Sequence, residues 1–136
     1  MNNTRFATAI HILTLLANMP EEWLSSEFIA GSINVNPVIV RKELAILNDA
    51  GLVMSRKGKE GGSMLTKKAD EISLDQVYQV VKNSEVLGKK NQNTNPLCPV
   101  GKQINEKLES LFTEIDLLVV ESLREKSLAN FAKQFV

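Results

Sequence analysis

Apolar residues return at helical spacing at the start of the chain. Phe6, Ala9, Ile10, Leu13, Leu16 and Ala17 follow the i, i+3, i+4, i+7 pattern of a buried helix face. A helix is predicted over residues 4–18, with Pro20 just past its end. Ser25 and Ser26 are N-cap candidates for a short second helix that runs through Ile29 and Ala30 to Ser32. Asn36 caps a third helix that has Pro37 at its first position, where a missing N–H costs nothing. Val40, Leu44 and Leu47 form its inward stripe, and Gly51 ends it. Asn36, Val38, Arg41, Lys42 and Ala45 are left to face outward.

The period then changes. Leu52, Val53 and Met54 read as a short strand, residues 56–63 as a glycine-rich turn, and Met64 and Leu65 as a returning strand. Ser73 caps a fourth helix carrying Leu74, Val77, Tyr78 and Val81. Residues 83–96 are polar, with four asparagines, and predict a loop. A long helix follows from Pro99 to Lys126. Along it Ile104, Leu108, Leu111, Ile115 and Leu118 step by 4, 3, 4, 3, a heptad seam. Leu117, Val119, Val120 and Leu123 make the helix apolar on further sides. So much apolar surface exceeds what a small head can cover, and a second copy is the most economical cover. Ser127 caps a terminal helix with Leu128, Phe131, Ala132 and Phe135.

The predicted fold is mainly α with a small β-wing: a winged helix-turn-helix plus a long C-terminal dimerisation helix. Residues 1–82 are expected to form the winged helix-turn-helix domain, 83–97 a loop, and 98–136 the dimerisation helix and terminal helix. With 136 residues the chain holds one such domain and its assembly element, and no separate cofactor and substrate lobes. Aromatics are only 5%, so Leu, Ile, Val and Ala must fill the core, which suits helices packed on helices.

Basic and acidic residues balance at 16 each, but residues 36–68 hold seven basic residues against three acidic, a local +4. A basic stripe on a neutral protein marks a localised anion-binding face. A helix fits the DNA major groove, and the first residues of a recognition helix reach base edges. Asn36 and Arg41 suit base edges, Val38 a thymine methyl and Lys42 a phosphate. Ser26, opening the second helix, is placed for a backbone phosphate. In the wing, Gly58, Gly61 and Gly62 allow a tight turn and close backbone approach. Arg56, Lys57 and Lys59 supply charge for phosphates or a narrow minor groove.

Several pieces together resemble the Rrf2 family of bacterial transcriptional regulators. They are Ser26-x-x-Ile29-Ala30, Val35-x-Pro37, Leu44-x-x-Leu47-x-x-Ala50-Gly51-Leu52-Val53-x-Ser55, and the wing Gly58-x-x-Gly61-Gly62-x-x-Leu65. The likeness continues through Ile72-Ser73-Leu74 and Asn95-Pro96-x-Cys98-Pro99-Val100-Gly101-Lys102, where it is closest to a cysteine-poor subgroup. It implies a homodimer with one winged head per subunit, binding a roughly palindromic operator in double-stranded DNA, usually to repress. Ser63 departs from the family pattern, standing where many family wings carry an aromatic residue, which places a different side chain at the wing tip. Members with an iron–sulfur cluster hold it with three cysteines in the loop and at the start of the long helix. Here residues 84–105 offer Cys98 alone, so no cofactor and no metal site are expected.

Cys98 has two readings. A helix start and Lys102 one turn on favour the thiolate, making it a redox-sensing candidate; the other reading is a small buried apolar side chain. Tyr78, Val81 and Leu87 read as core packing, with a small-molecule pocket as the alternative, and Trp23 as a packing residue. The lone His11 has no second ligand in the pattern. Not an enzyme is the expectation: there is no nucleophile–His–acid set, and the glycine-rich segment lacks a P-loop ending. One cysteine points to a reducing compartment, and residues 6–17 are too short and amphipathic for a membrane span, so a soluble cytoplasmic protein is expected with no membrane partner. The competing function is a dimeric winged-helix interaction module without DNA binding.

Overall fold

Helix α1 (Arg5–Asn18) is the central strut of the head in the computed structural model, which describes residues 4–82 and 86–135. Ala9, Ile12, Leu13 and Leu16 on it are buried. Helix α2 (Ser26–Ile33) starts where the Ser25 hydroxyl accepts the Phe28 N–H at 3.0 Å. It stops at Asn34, in the left-handed region with φ 65°, whose N–H reaches the Ala30 carbonyl at 2.7 Å. That residue makes the turn of the helix-turn-helix; an asparagine there is tolerated because its side chain is short and polar.

Helix α3 (Pro37–Asp49) is capped by Asn36, whose Oδ1 accepts the Val38 N–H at 2.9 Å. Val40, Leu44 and Leu47 face the core as their spacing predicts. The helix ends in a Schellman motif: Gly51 at φ 81° donates to the Asn48 carbonyl, and Leu52 donates to that of Leu47. Leu52 therefore belongs to the cap, and strand β1 is Val53–Arg56, one step later than its apolar run suggests. Strand β2 (Gly62–Leu65) pairs antiparallel with it, from Val53↔Leu65 to Arg56↔Gly62. A third partner comes from the connection between α1 and α2. Leu24 and Ser63 exchange both backbone hydrogen bonds, at 3.1 and 2.9 Å.

A 3₁₀ turn (Ala69–Glu71) leads into α4 (Leu74–Val81). Of the predicted loop, residues 83–85 lie outside the described residues. Helix α5 (Pro99–Arg124) is the long helix, and α6 (Leu128–Ala132) follows it. The short α6, grouped with the dimerisation helix on sequence grounds, packs into the head. Leu128 is wholly buried in the head core, its N–H reaches the Ile72 carbonyl at 2.8 Å, and Leu74 N–H reaches the Lys126 carbonyl at 2.9 Å.

A buried polar joint ties α5 to α4. Asp116, only 7% exposed, accepts Tyr78 Oη–H at 2.6 Å and Lys82 Nζ–H at 2.7 Å. Burial alone pushes its carboxyl pKa up, but the bonds from Lys82 and Tyr78 outweigh that and hold it below the usual range. A buried carboxylate is tolerable here because both oxygens are satisfied. This joint divides the three residues read as packing or pocket-lining. Tyr78 is half-buried and bonded, Val81 is in the core, and Leu87 is exposed and belongs to neither. No helix among the described residues is long and apolar enough to cross a membrane.

Candidate nucleic-acid interface

The capped start of α2, the Arg41–Asp49 stretch of α3 and the wing border a cleft of about 630 Å³, lined in part by Ser26, Glu27, Arg41, Ala45, Arg56 and Lys57. Asn36, Val38, Arg41 and Lys42 all lie exposed on α3. The Asn36 carboxamide oxygen is committed to the cap, so its Nδ2 donors are the part that can read a base.

Arg41 does not stand in open solvent. Its Nη2 donates to Glu27 Oε2 at 2.5 Å and its Nε to Ser26 Oγ at 3.2 Å, while the Ser26 hydroxyl donates to the same Glu27 oxygen at 3.3 Å. The Glu27 carboxyl is held below its ordinary pKa, first by its own backbone N–H and then by Arg41. Glu27 was not among the residues the sequence singled out. Its only signal there is a carboxylate in the first turn of α2, which reads as a routine helix-dipole partner. Ser26, expected to meet a phosphate, is half-buried inside this network. Glu43 is a second unforeseen carboxylate: buried among the inward residues of α3, it accepts from Arg5 Nε at 2.9 Å and ties the recognition helix to α1.

The wing also differs from its reading. Arg56, counted among the DNA-facing cations, turns back onto its own loop. Its Nε and Nη2 donate to the Glu60 carbonyl at 3.1 and 2.6 Å, and the guanidinium lies 4.5 Å from the Trp23 ring centroid. It therefore fastens the wing to the connection before α2, and Trp23 is its platform. Gly61 and Gly62 likewise serve close packing of the wing's own backbone. A Cβ on Gly61 would lie 2.2 Å from the Arg56 carbonyl oxygen, and one on Gly62 2.6 Å from that of Leu24. Ser63 is buried at the base of the wing, with its hydroxyl 2.9 Å from that of Ser55, so it is not the tip residue its alignment with family aromatics suggested. Lys57 and Lys59 are exposed beside the turn, Lys57 on the cleft side and Lys59 on the opposite side with Trp23 and Phe28.

The seam of α5 is turned away from α4. Ile104, Leu108 and Ile115 are half-buried, while Leu111 is 46% and Leu118 63% exposed. A separate face carries Asp116 and Val120, which are buried, and Leu123, which packs on the head core. Cys98, at the N-cap of α5, is exposed, which removes the buried-packing reading for the single chain. Its thiol pKa is lowered by the backbone N–H groups of Gly101 and Val100; Lys102 is not the cause. His11 Nε2 meets the Ser32 hydroxyl at 2.8 Å.

The model for the Rrf2 family, described as iron-dependent transcriptional regulators, matches residues 2–134. The chain belongs to the Rrf2 family. This Rrf2 regulator is 43% identical to the HTH-type transcriptional regulator YwnA of Bacillus subtilis over 128 residues, 94% of each chain. A crystal structure of a DNA-binding protein matches it at 40% identity and TM-score 0.71, covering 91% of this chain and 95% of the other. The structure of CymR, the global cysteine regulator of B. subtilis, matches at TM-score 0.73 and 23% identity, over 100% and 98% of the two chains, and shares the fold. The chain is thus a DNA-binding transcriptional regulator, with regulators rather than enzymes as relatives. The family description implies iron, and the donor set does not fit it. The chain has one cysteine, and no three His, Cys, Asp or Glu side chains among the described residues gather as a metal site. A cluster needs several thiolate or imidazole ligands, which this chain does not bring together among the described residues.

Proposed function

We propose that two copies of this regulator pair through the Ile104–Leu118 face of α5 as a cytoplasmic homodimer. The paired heads bind a roughly palindromic operator and repress transcription. The carrying observation is the exposed part of the seam. Leu111 is 46% and Leu118 63% exposed on a 26-residue helix on which Asp116 and Val120 are buried. Exposed leucines in register along one stripe are a pairing surface. On each head, Asn36, Val38 and Arg41 contact bases, while Lys42, Lys57 and Lys59 contact phosphates. Arg56, Gly61 and Gly62 hold the wing in the shape that presents those lysines.

The test begins by selecting genomic fragments on the purified protein. Lys42→Ala with Lys59→Ala is then expected to weaken binding of the selected operator at least about tenfold. The slope of log K against log salt should become shallower by about 0.9 for each phosphate no longer neutralised. Both lysines are exposed, so thermal unfolding should not move. Unchanged retention, or no fragment retained by the natural chain, would favour an interaction module instead.

An exposed thiol with a lowered pKa favours a second property, thiol-responsive DNA binding through Cys98. Diamide treatment in the presence of glutathione is expected to lower operator affinity several-fold through a mixed disulfide between Cys98 and glutathione, diamide taking up the two electrons and two protons; dithiothreitol should reverse it and Cys98→Ser should not show it. Equal responses of the two proteins would remove Cys98 as the sensor.

A further inference from the structure

We infer that Glu27 is a specificity-determining residue of the DNA-binding head, masking and orienting Arg41 so that this arginine reads a base instead of serving as a general phosphate anchor. The inference rests on the assignment of Arg41 to the DNA face. Two cations, Arg41 and Lys42, occur in the recognition helix, and both are exposed. The Lys42 ammonium is a flexible point charge. The Arg41 guanidinium is fixed along one edge by two acceptors on α2, Glu27 Oε2 at 2.5 Å and Ser26 Oγ at 3.2 Å.

Stability does not explain this pair. Both side chains are more than half exposed, and ion pairs in that setting contribute little to folding. Its consequence lies on the surface where DNA approaches. Glu27 and Arg41 line the same cleft, so a phosphodiester strand entering it meets a carboxylate beside the guanidinium. The pair is nearly neutral at a distance, which removes one cation from sequence-independent attraction. At contact range, with Nε and one side of Nη2 engaged, the arginine still offers Nη1 and the remaining Nη2 hydrogen in a fixed direction. Base reading rewards a fixed fork, whereas phosphate binding needs only charge.

The experiment compares Glu27→Gln with the natural chain on two probes: the duplex selected from genomic fragments and a duplex of the same composition in scrambled order, each over a salt series. Glu106→Gln, an exposed carboxylate on α5, controls for the change in net charge. Glu27→Gln should bind the scrambled duplex several-fold more tightly, with a salt slope steeper by about 0.9 per head. Discrimination between the two duplexes should fall about tenfold, while Glu106→Gln keeps the natural ratio. The inference is overturned if Glu27→Gln behaves like Glu106→Gln, or if both affinities change in parallel with the ratio intact. A natural chain that does not distinguish the duplexes at all would instead defeat the assignment of the DNA face.

Discussion

Alanine at Gly62 is expected to lower the stability of this protein by about 2–4 kcal/mol and to unseat the wing. Two independent penalties meet there. The backbone stands at φ 154°, where L side chains are rare, and a Cβ would lie 2.6 Å from the Leu24 carbonyl oxygen and 2.7 Å from its carbon. The obstacle is backbone that cannot yield, because Leu24 exchanges hydrogen bonds at 3.1 and 2.9 Å with Ser63, the residue next to the substitution. Gly58 provides the comparison. It has φ 104° with nothing within 4 Å of an added methyl, so Gly58→Ala carries only conformational strain, about 1 kcal/mol. Urea unfolding would report the difference as a lower midpoint with an unchanged m-value. The emission of Trp23, the chain's single tryptophan, would report wing seating directly because Arg56 lies over its ring. Gly62→Ala with the midpoint and emission of the natural chain would show that the wing is not held through Leu24.

That wing shows where reading a sequence succeeds and where it stops. The helices of the head were legible because each carries a periodic stripe and a local stop or start signal. Val40, Leu44 and Leu47 share one side of α3, Asn36 caps it, and Gly51 ends it through hydrogen bonds no more than five residues long. The hairpin was legible from its glycines, but not what they avoid. The backbone facing Gly62 belongs to Leu24, far back in the chain. Charge was legible as a count and not as a direction. Arg56 adds to the basic stripe, yet its guanidinium points at Trp23 and Glu60. Arg41 lies on the expected face, but its partner Glu27 comes from another helix. The same limit hid Glu43 with Arg5 and Asp116 with Tyr78 and Lys82, pairs separated by 34–38 residues that no local pattern joins. For α5, the heptad stripe and the head-facing side overlap in composition. Only the fold shows that Val120 and Leu123 are already covered while Leu111 and Leu118 are not.

That uncovered stripe gives the largest effect to be expected from a variant of this chain. Leu111→Asp combined with Leu118→Asp should yield a folded monomer whose operator affinity is lower by about 10²–10⁴. The head should survive, since both leucines are substantially exposed on the single chain and neither belongs to its core cluster. The proposed dimer should not survive. Fully burying a leucine contributes roughly 1.5–3 kcal/mol; with Leu111 46% and Leu118 63% exposed in the single chain, a pair of chains would lose about half of four such contributions while gaining four carboxylates to desolvate against an apolar stripe. DNA binding falls with the dimer because tethering two heads converts the second half-site contact into an intramolecular event, an advantage of about 10²–10⁴. Sedimentation velocity would follow the mass, circular dichroism the fold, and anisotropy on the selected operator the affinity. Residual binding should match that of the natural chain for an isolated half-site. A double variant that still sediments as a dimer and holds the operator at full strength would place the pairing surface elsewhere, whereas a monomer with full affinity would mean that one head suffices.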